Sequence, residues 1–129
     1  MIKYSGSYEK MKKAFSFLIQ AYHFDLVRDE ETNYNVVLEY KKGDTKVYLN
    51  YDYMDNWFAF NLIKGIDTSV FSVSPNNKKI SDLVQVFDPS KDYKFFQPND
   101  DGFEDALKKN AEALKKYGDK VLKGEEWYW

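Results

Sequence analysis

Residues 34–63 read YNVVLEYKKGDTKVYLNYDYMDNWFAFNLI, and their alternation decides the fold. Tyr34, Val36, Leu38 and Tyr40 alternate with Asn35, Val37, Glu39 and Lys41, the period of a half-buried strand. Gly43-Asp44 supplies a tight hairpin turn, after which Val47, Leu49, Tyr51 and Tyr53 alternate with Lys46, Tyr48, Asn50 and Asp52. A turn there sets Tyr40 opposite Val47, Leu38 opposite Leu49, Val36 opposite Tyr51 and Tyr34 opposite Tyr53. Every pair is apolar or aromatic, so the register assigns them to one buried face. Asp55-Asn56 reads as a second tight turn, placing Phe58 opposite Tyr53, Phe60 opposite Tyr51 and Leu62 opposite Leu49, again on that face. The stretch predicts a three-stranded antiparallel meander.

The other face follows by parity. It carries Asn35, Val37, Glu39 and Lys41, then Lys46, Tyr48, Asn50, Asp52 and Met54, then Trp57, Ala59, Asn61 and Ile63. This mixture is too polar for a core and too aromatic for a plain wet surface, and an antiparallel sheet often packs on one side only. The face is therefore expected to be at least partly open. Glu39, Tyr48, Asn50, Asp52, Trp57 and Asn61 are its candidate partner-binding residues. Tyr and Trp are enriched where proteins meet, and carboxylates steer a basic partner. The competing reading is that another element covers the face, or that it is ordinary solvated sheet.

Outward from the meander the period changes. Tyr8, Met11, Phe15, Leu18 and Tyr22 recur at helical spacing, predicting a helix over 7–22 with Ser7 as N-cap and Lys10, Lys12, Lys13 and Gln20 in water. Asp25 to Arg28 adds a strand before the meander and Val70 to Val73 one after it, followed by a turn at Pro75-Asn76-Asn77. Ser81 is expected to cap a short helix through Leu83, Val84 and Phe87, stopped by Pro89. Phe103, Leu107, Asn110, Ala111, Leu114 and Tyr117 mark a last long helix, with Gly118 as its C-terminal cap and Val121-Leu122 as one further turn. The tail Trp127-Tyr128-Trp129 is expected to tuck onto the domain. The predicted architecture is one α+β domain over 1–129: an N-terminal helix, then an antiparallel meander packed on one face by the N- and C-terminal helices.

A chain of 129 residues suits one domain and leaves no room for a second core. The absence of cysteine excludes disulfides, thiolate metal sites and thiol catalysis. A net charge of −2 argues against nonspecific nucleic-acid binding, which needs clustered positive charge. No segment is apolar for a membrane helix's length, and Phe15 to Ile19 reads as a buried helix face rather than a signal peptide, so no membrane role and a cytoplasmic location are expected.

Catalytic motifs are missing too. The single histidine, His23, ends the first helix, where a cation is favourable without any catalytic role. Ser16 lies nearby but in no G-x-S-x-G elbow, and neither G-x-x-x-x-G-K-[ST] nor G-x-G-x-x-G occurs. Asp100, Asp101, Glu104 and Asp105 fit anions at a helix's positive end better than a calcium loop, whose first position would be Gln97. Asp52 and Asp55 could serve acid–base work, but nothing in their spacing fixes a substrate between them. A non-enzyme without metal or cofactor is expected.

The ending Asn110-Ala111-Glu112-Ala113-Leu114-Lys115-Lys116-Tyr117-Gly118-Asp119, then Val121-Leu122-Lys123-Gly124, resembles the endings of immunity proteins of bacterial polymorphic or contact-dependent toxin systems. The order of helix, aromatic meander and helices in a short, acidic, cysteine-free chain is similar as well. What the resemblance implies is binding and neutralisation of a cognate toxin by occlusion, with no catalytic motif to transfer. Two rival classes stand beside it. One is a small-molecule or lipid-binding domain with a pocket between the aromatic sheet face and the helices; the other is an enzyme built on carboxylates and tyrosines alone.

Overall fold

The computed structural model describes residues 6–65, 77–90, 96–98 and 102–125. Five strands, β1 (Asp25–Glu31), β2 (Asn35–Lys42), β3 (Thr45–Asp52), β4 (Trp57–Lys64) and β5 (Asn77–Lys79), form one antiparallel sheet in that order. Helices α1 (Ser7–Ala14) and α2 (Phe17–Gln20) precede it; α3 (Ile80–Phe87), α4 (Gly102–Tyr117) and α5 (Asp119–Leu122) follow. The chain has the expected α+β fold. The expected strand at Val70 to Val73, the first two residues of the turn at Pro75-Asn76-Asn77 and the tail Trp127 to Trp129 lie outside the described residues, while Asn77 opens β5 rather than closing a turn.

The first turn forms where the alternation puts it. Tyr40 pairs with Val47, Leu38 with Leu49 and Val36 with Tyr51. Gly43 holds φ +58 with open space where a Cβ would sit, so backbone conformation, not crowding, calls for glycine there. The second turn differs. Tyr51 pairs with Phe58, Leu49 with Phe60 and Val47 with Leu62, two residues away from the expected register. A longer loop, Tyr53 to Asn56, replaces the tight turn. The Asp52 carboxylate accepts the Met54 N–H at 2.8 Å, and Asn56, at φ 50, accepts the Tyr51 hydroxyl at 2.7 Å. Because side chains alternate with a period of two, an even shift leaves each on its own face.

The rows Val36–Tyr51–Phe58, Leu38–Leu49–Phe60 and Tyr40–Val47–Leu62 are at most 3% exposed. The helices cover them. The Phe15 ring meets Phe60 edge-on at 5.5 Å, and Phe103 of α4 packs on Tyr51 at 4.9 Å and Phe58 at 5.4 Å. Leu83 and Val84 of α3, Leu107 and Leu114 of α4, and Val121 and Leu122 of α5 complete the core. Tyr34 departs from expectation: it precedes β2, is 64% exposed, and joins the sheet only through its carbonyl, which accepts the Tyr53 N–H at 2.9 Å.

Helix ends also depart. The first helix breaks at Phe15-Ser16, where the Ser16 hydroxyl donates to the Lys13 carbonyl at 2.9 Å and the backbone bonds tighten to a three-residue span. Gly6, not Ser7, is the N-cap of α1: its carbonyl accepts the Lys10 N–H, and Ser7 is buried with its hydroxyl unpaired. Lys79, not Ser81, caps α3, and its N–H donates to Asp82. Gly118 links α4 to α5 at φ −98 and is no left-handed cap.

Two amides pin the connection before α4. The Gln97 side chain accepts the Phe58 N–H at 2.7 Å and donates to the Phe58 carbonyl at 3.0 Å, mimicking a neighbouring strand beside β4. Asn110, 2% exposed on the otherwise apolar face of α4, donates to the Phe96 and Ala106 carbonyls at 2.8 and 2.9 Å. Asn110→Ala is expected to cost about 1–2 kcal/mol in urea denaturation, since it removes both buried hydrogen bonds that the Asn110 amide donates.

Candidate functional site

Strand pairing sorts the six candidate residues into rows across the sheet face away from the helices. Arg28, Glu39, Tyr48 and Asn61 form one row; Glu30, Val37, Asn50 and Ala59 the next; Asn35, Asp52 and Trp57 the last. A bulge at Val27, between Leu26 and Arg28, brings Arg28 and Glu30 to this face. The structure thus gathers all six on one surface, and burial then divides them.

The centre is closed. Tyr48 and Asn61 are each 5% exposed, and Val37 and Ile63 are buried with Tyr48 in a small second cluster. The Asn61 amide donates to Asn77 at 2.8 Å, which ties β4 to β5. Burial pushes the Tyr48 hydroxyl pKa up, against the pull of the Arg28 guanidinium. Glu39 shares Arg28, at 3.9 Å, with Glu30, at 3.1 Å, so its charge is already matched. Asn50 is half-buried and its side-chain carbonyl is unpaired. Tyr48 and Asn61 are therefore closed to solvent, which parity could not reveal: alternation names the face, not what lies over it.

The end of the sheet is open. Trp57 is 38%, Met54 60% and Tyr34 64% exposed. Asp52 is half-buried beside Trp57, while Glu31 and Asp55 are exposed. With strands about 4.8 Å apart, the Asn35–Asp52–Trp57 row spans roughly 10 Å. Parity placed Met54 on this face without singling it out, and it assigned Tyr34 to the buried face, because the tight-turn register kept both inside the ladder. The signal for Met54 was Asp52, whose carboxylate two residues upstream favours an Asx turn. Charge is one-sided here. Stretches 29–40 and 47–63 contain Asp29, Glu30, Glu31, Glu39, Asp52 and Asp55 but no Lys or Arg.

His23 is exposed at φ 63 in the turn after α2, beyond the helix end it was expected to occupy. Among the described residues no His, Asp and Glu group could hold a metal ion, and no helix is long and apolar enough to cross a membrane. Among the described residues, one groove of about 560 Å³ runs between α1 and α4 and another of about 190 Å³ between α3 and α4. Neither of these two opens between sheet and helices. Compared with known proteins, the chain matches no family model, no curated protein and no solved structure.

Proposed function

We propose that this domain works by binding a protein, without catalysis, and that it neutralises a cognate bacterial toxin by covering the toxin's active site or a surface the toxin needs. The observation that supports the binding reading is the open sheet end, where Trp57 lies exposed in the same row as Asp52, with Met54 and Asp55 exposed in the loop between them. An amphipathic ring beside carboxylates supplies contact area and steering, and neither needs a bound substrate. The toxin reading rests on the resemblance carried by 110–124. Within that span Ala111, Leu114, Val121 and Leu122 pack into the core, leaving the sheet end to do the docking.

The test pairs this chain with the product of a neighbouring toxin-like gene. Co-expression is expected to restore growth, and the purified chain to capture that product. Combining Asp52→Lys with Trp57→Ala is expected to weaken capture by about 2 kcal/mol or more, roughly thirtyfold in Kd, with the melting transition retained. Undiminished capture by the folded double variant would count against this surface.

A further inference from the structure

The groove of about 560 Å³ between α1 and α4 is the cationic part of an acidic chain. Two contacts fix its walls. Lys10 of α1 bridges to Glu104 near the start of α4 at 2.7 Å, and Lys115 near the end of α4 stands over the Phe17 ring of α2 at 4.6 Å. At about 1.5 Å per helical residue, Glu104 to Lys115 measures roughly 16 Å. Ala14, Leu107 and Ala111 give the groove its apolar lining, and Lys10, Lys13, Lys108 and Lys115 set four cations against the carboxylates of Glu104 and Glu112. Both carboxylates are already matched, Glu104 by Lys10 and Glu112 by Lys108 at 3.9 Å. Lys13 and Lys115 form no ion pair among the described residues.

We infer that this groove docks an acidic peptide segment of a partner protein, its carboxylates meeting Lys13 and Lys115 while small apolar side chains rest against Ala14, Leu107 and Ala111. A neutral segment would cover two ammonium groups without matching them, and a basic one would be repelled. Leu107 and Ala111 are only 3% and 5% exposed, so little apolar area is gained and the attraction is chiefly between charges. A nucleic-acid strand fits less well. With a phosphate every ~3.4 Å it would lay about five charges along the groove, some of them onto Glu104 and Glu112. A peptide places neutral residues at those points. This surface is separate from the sheet end and does not depend on the toxin reading.

Short peptides of equal length provide the probes: glutamate spaced by alanine and leucine, then the same peptide with glutamine or lysine in place of glutamate. A single-stranded oligothymidylate and inorganic phosphate supply the polyanion and the free anion. The readout is the backbone amide spectrum of the full chain. The glutamate peptide is expected to give saturable shifts confined to 10–17 and 104–115, weakened by added salt. The glutamine and lysine peptides should give none there. Combining Lys13→Gln with Lys115→Gln should weaken binding about tenfold with the melting transition retained, since both side chains are exposed. Lys41→Gln with Lys46→Gln, a cross-strand pair on the sheet, removes the same charge and should leave affinity within about twofold. Shifts mapped elsewhere, no saturable shift, indifference to the groove variant, or an equal loss in the sheet variant would each overturn the assignment. Equal or tighter binding of oligothymidylate, or the same shifts from phosphate alone, would overturn the peptide as occupant. The peptides need no toxin, so their failure leaves neutralisation standing, and failed rescue in co-expression leaves the groove standing.

Discussion

Gly118→Ala is expected to lower stability by about 1–3 kcal/mol, seen as a fall in the urea midpoint with the slope unchanged. A Cβ at this position would lie 2.7 Å from the Leu114 carbonyl oxygen, 2.9 Å from the Leu114 side chain and 3.3 Å from Leu83. The leucine methyls can yield; the carbonyl cannot, because it accepts the Gly118 N–H at 2.9 Å. Relief must come from opening the corner between α4 and α5, which draws Val121 and Leu122, each 1% exposed, out of the core. Gly124→Ala makes a useful contrast. Open space surrounds Gly124, but its φ of +74 strains any L side chain, so its smaller cost, about 1 kcal/mol, comes from backbone alone. An unmoved midpoint for Gly118→Ala would refute the packing of α5 described here.

Between pH 10 and 12 the domain is expected to lose stability steeply, and Tyr40→Phe to flatten that loss. Burial pushes the Tyr40 hydroxyl to about 12. Tyr22 also rises to about 12, first through burial and then through its hydrogen bond to Asp119. Folding therefore makes both phenols hold their protons more tightly than the unfolded chain does, where tyrosine titrates near 10. The stabilisation is fully present below that value and disappears as the pH rises through the folded one. For Tyr40, 1% exposed, it is on the order of 2 kcal/mol; half-exposed Tyr22 contributes less. Asp119 works in the opposite direction. The Tyr22 hydroxyl, then Lys123, hold its carboxyl below the usual range, so its contribution is present above the unfolded value and fades in acid. Urea midpoints of both proteins at several alkaline pH values check the result; parallel curves would refute it.

The same segments show how far the sequence could be read. Strand faces were legible because parity is local: Val36, Leu38 and Tyr40 needed only their own alternation and one Gly-Asp turn to reach the core. The second register was not legible. Asp-Asn is a weak turn signal, and the Asp52 cap and the Tyr51–Asn56 bond favour a longer loop whose even shift preserves the faces. That is why the proposed surface kept its side of the sheet while its accessible part moved from Tyr48 and Asn61 to Met54 and Trp57. Asn110 was read as one more residue of a helical stripe; its partner, the Phe96 carbonyl, lies in a different segment.

By itself, then, the amino-acid order determined the α+β class, the first hairpin and the side of the sheet on which each side chain stands, since these depend on neighbours a few residues away. Only the tertiary structure decided which parts of the second face meet solvent and why residue 118 is glycine. Exposure and close approach are set by atoms distant along the chain, such as Leu83 against Gly118 and Asn77 against Asn61. No local pattern encodes them.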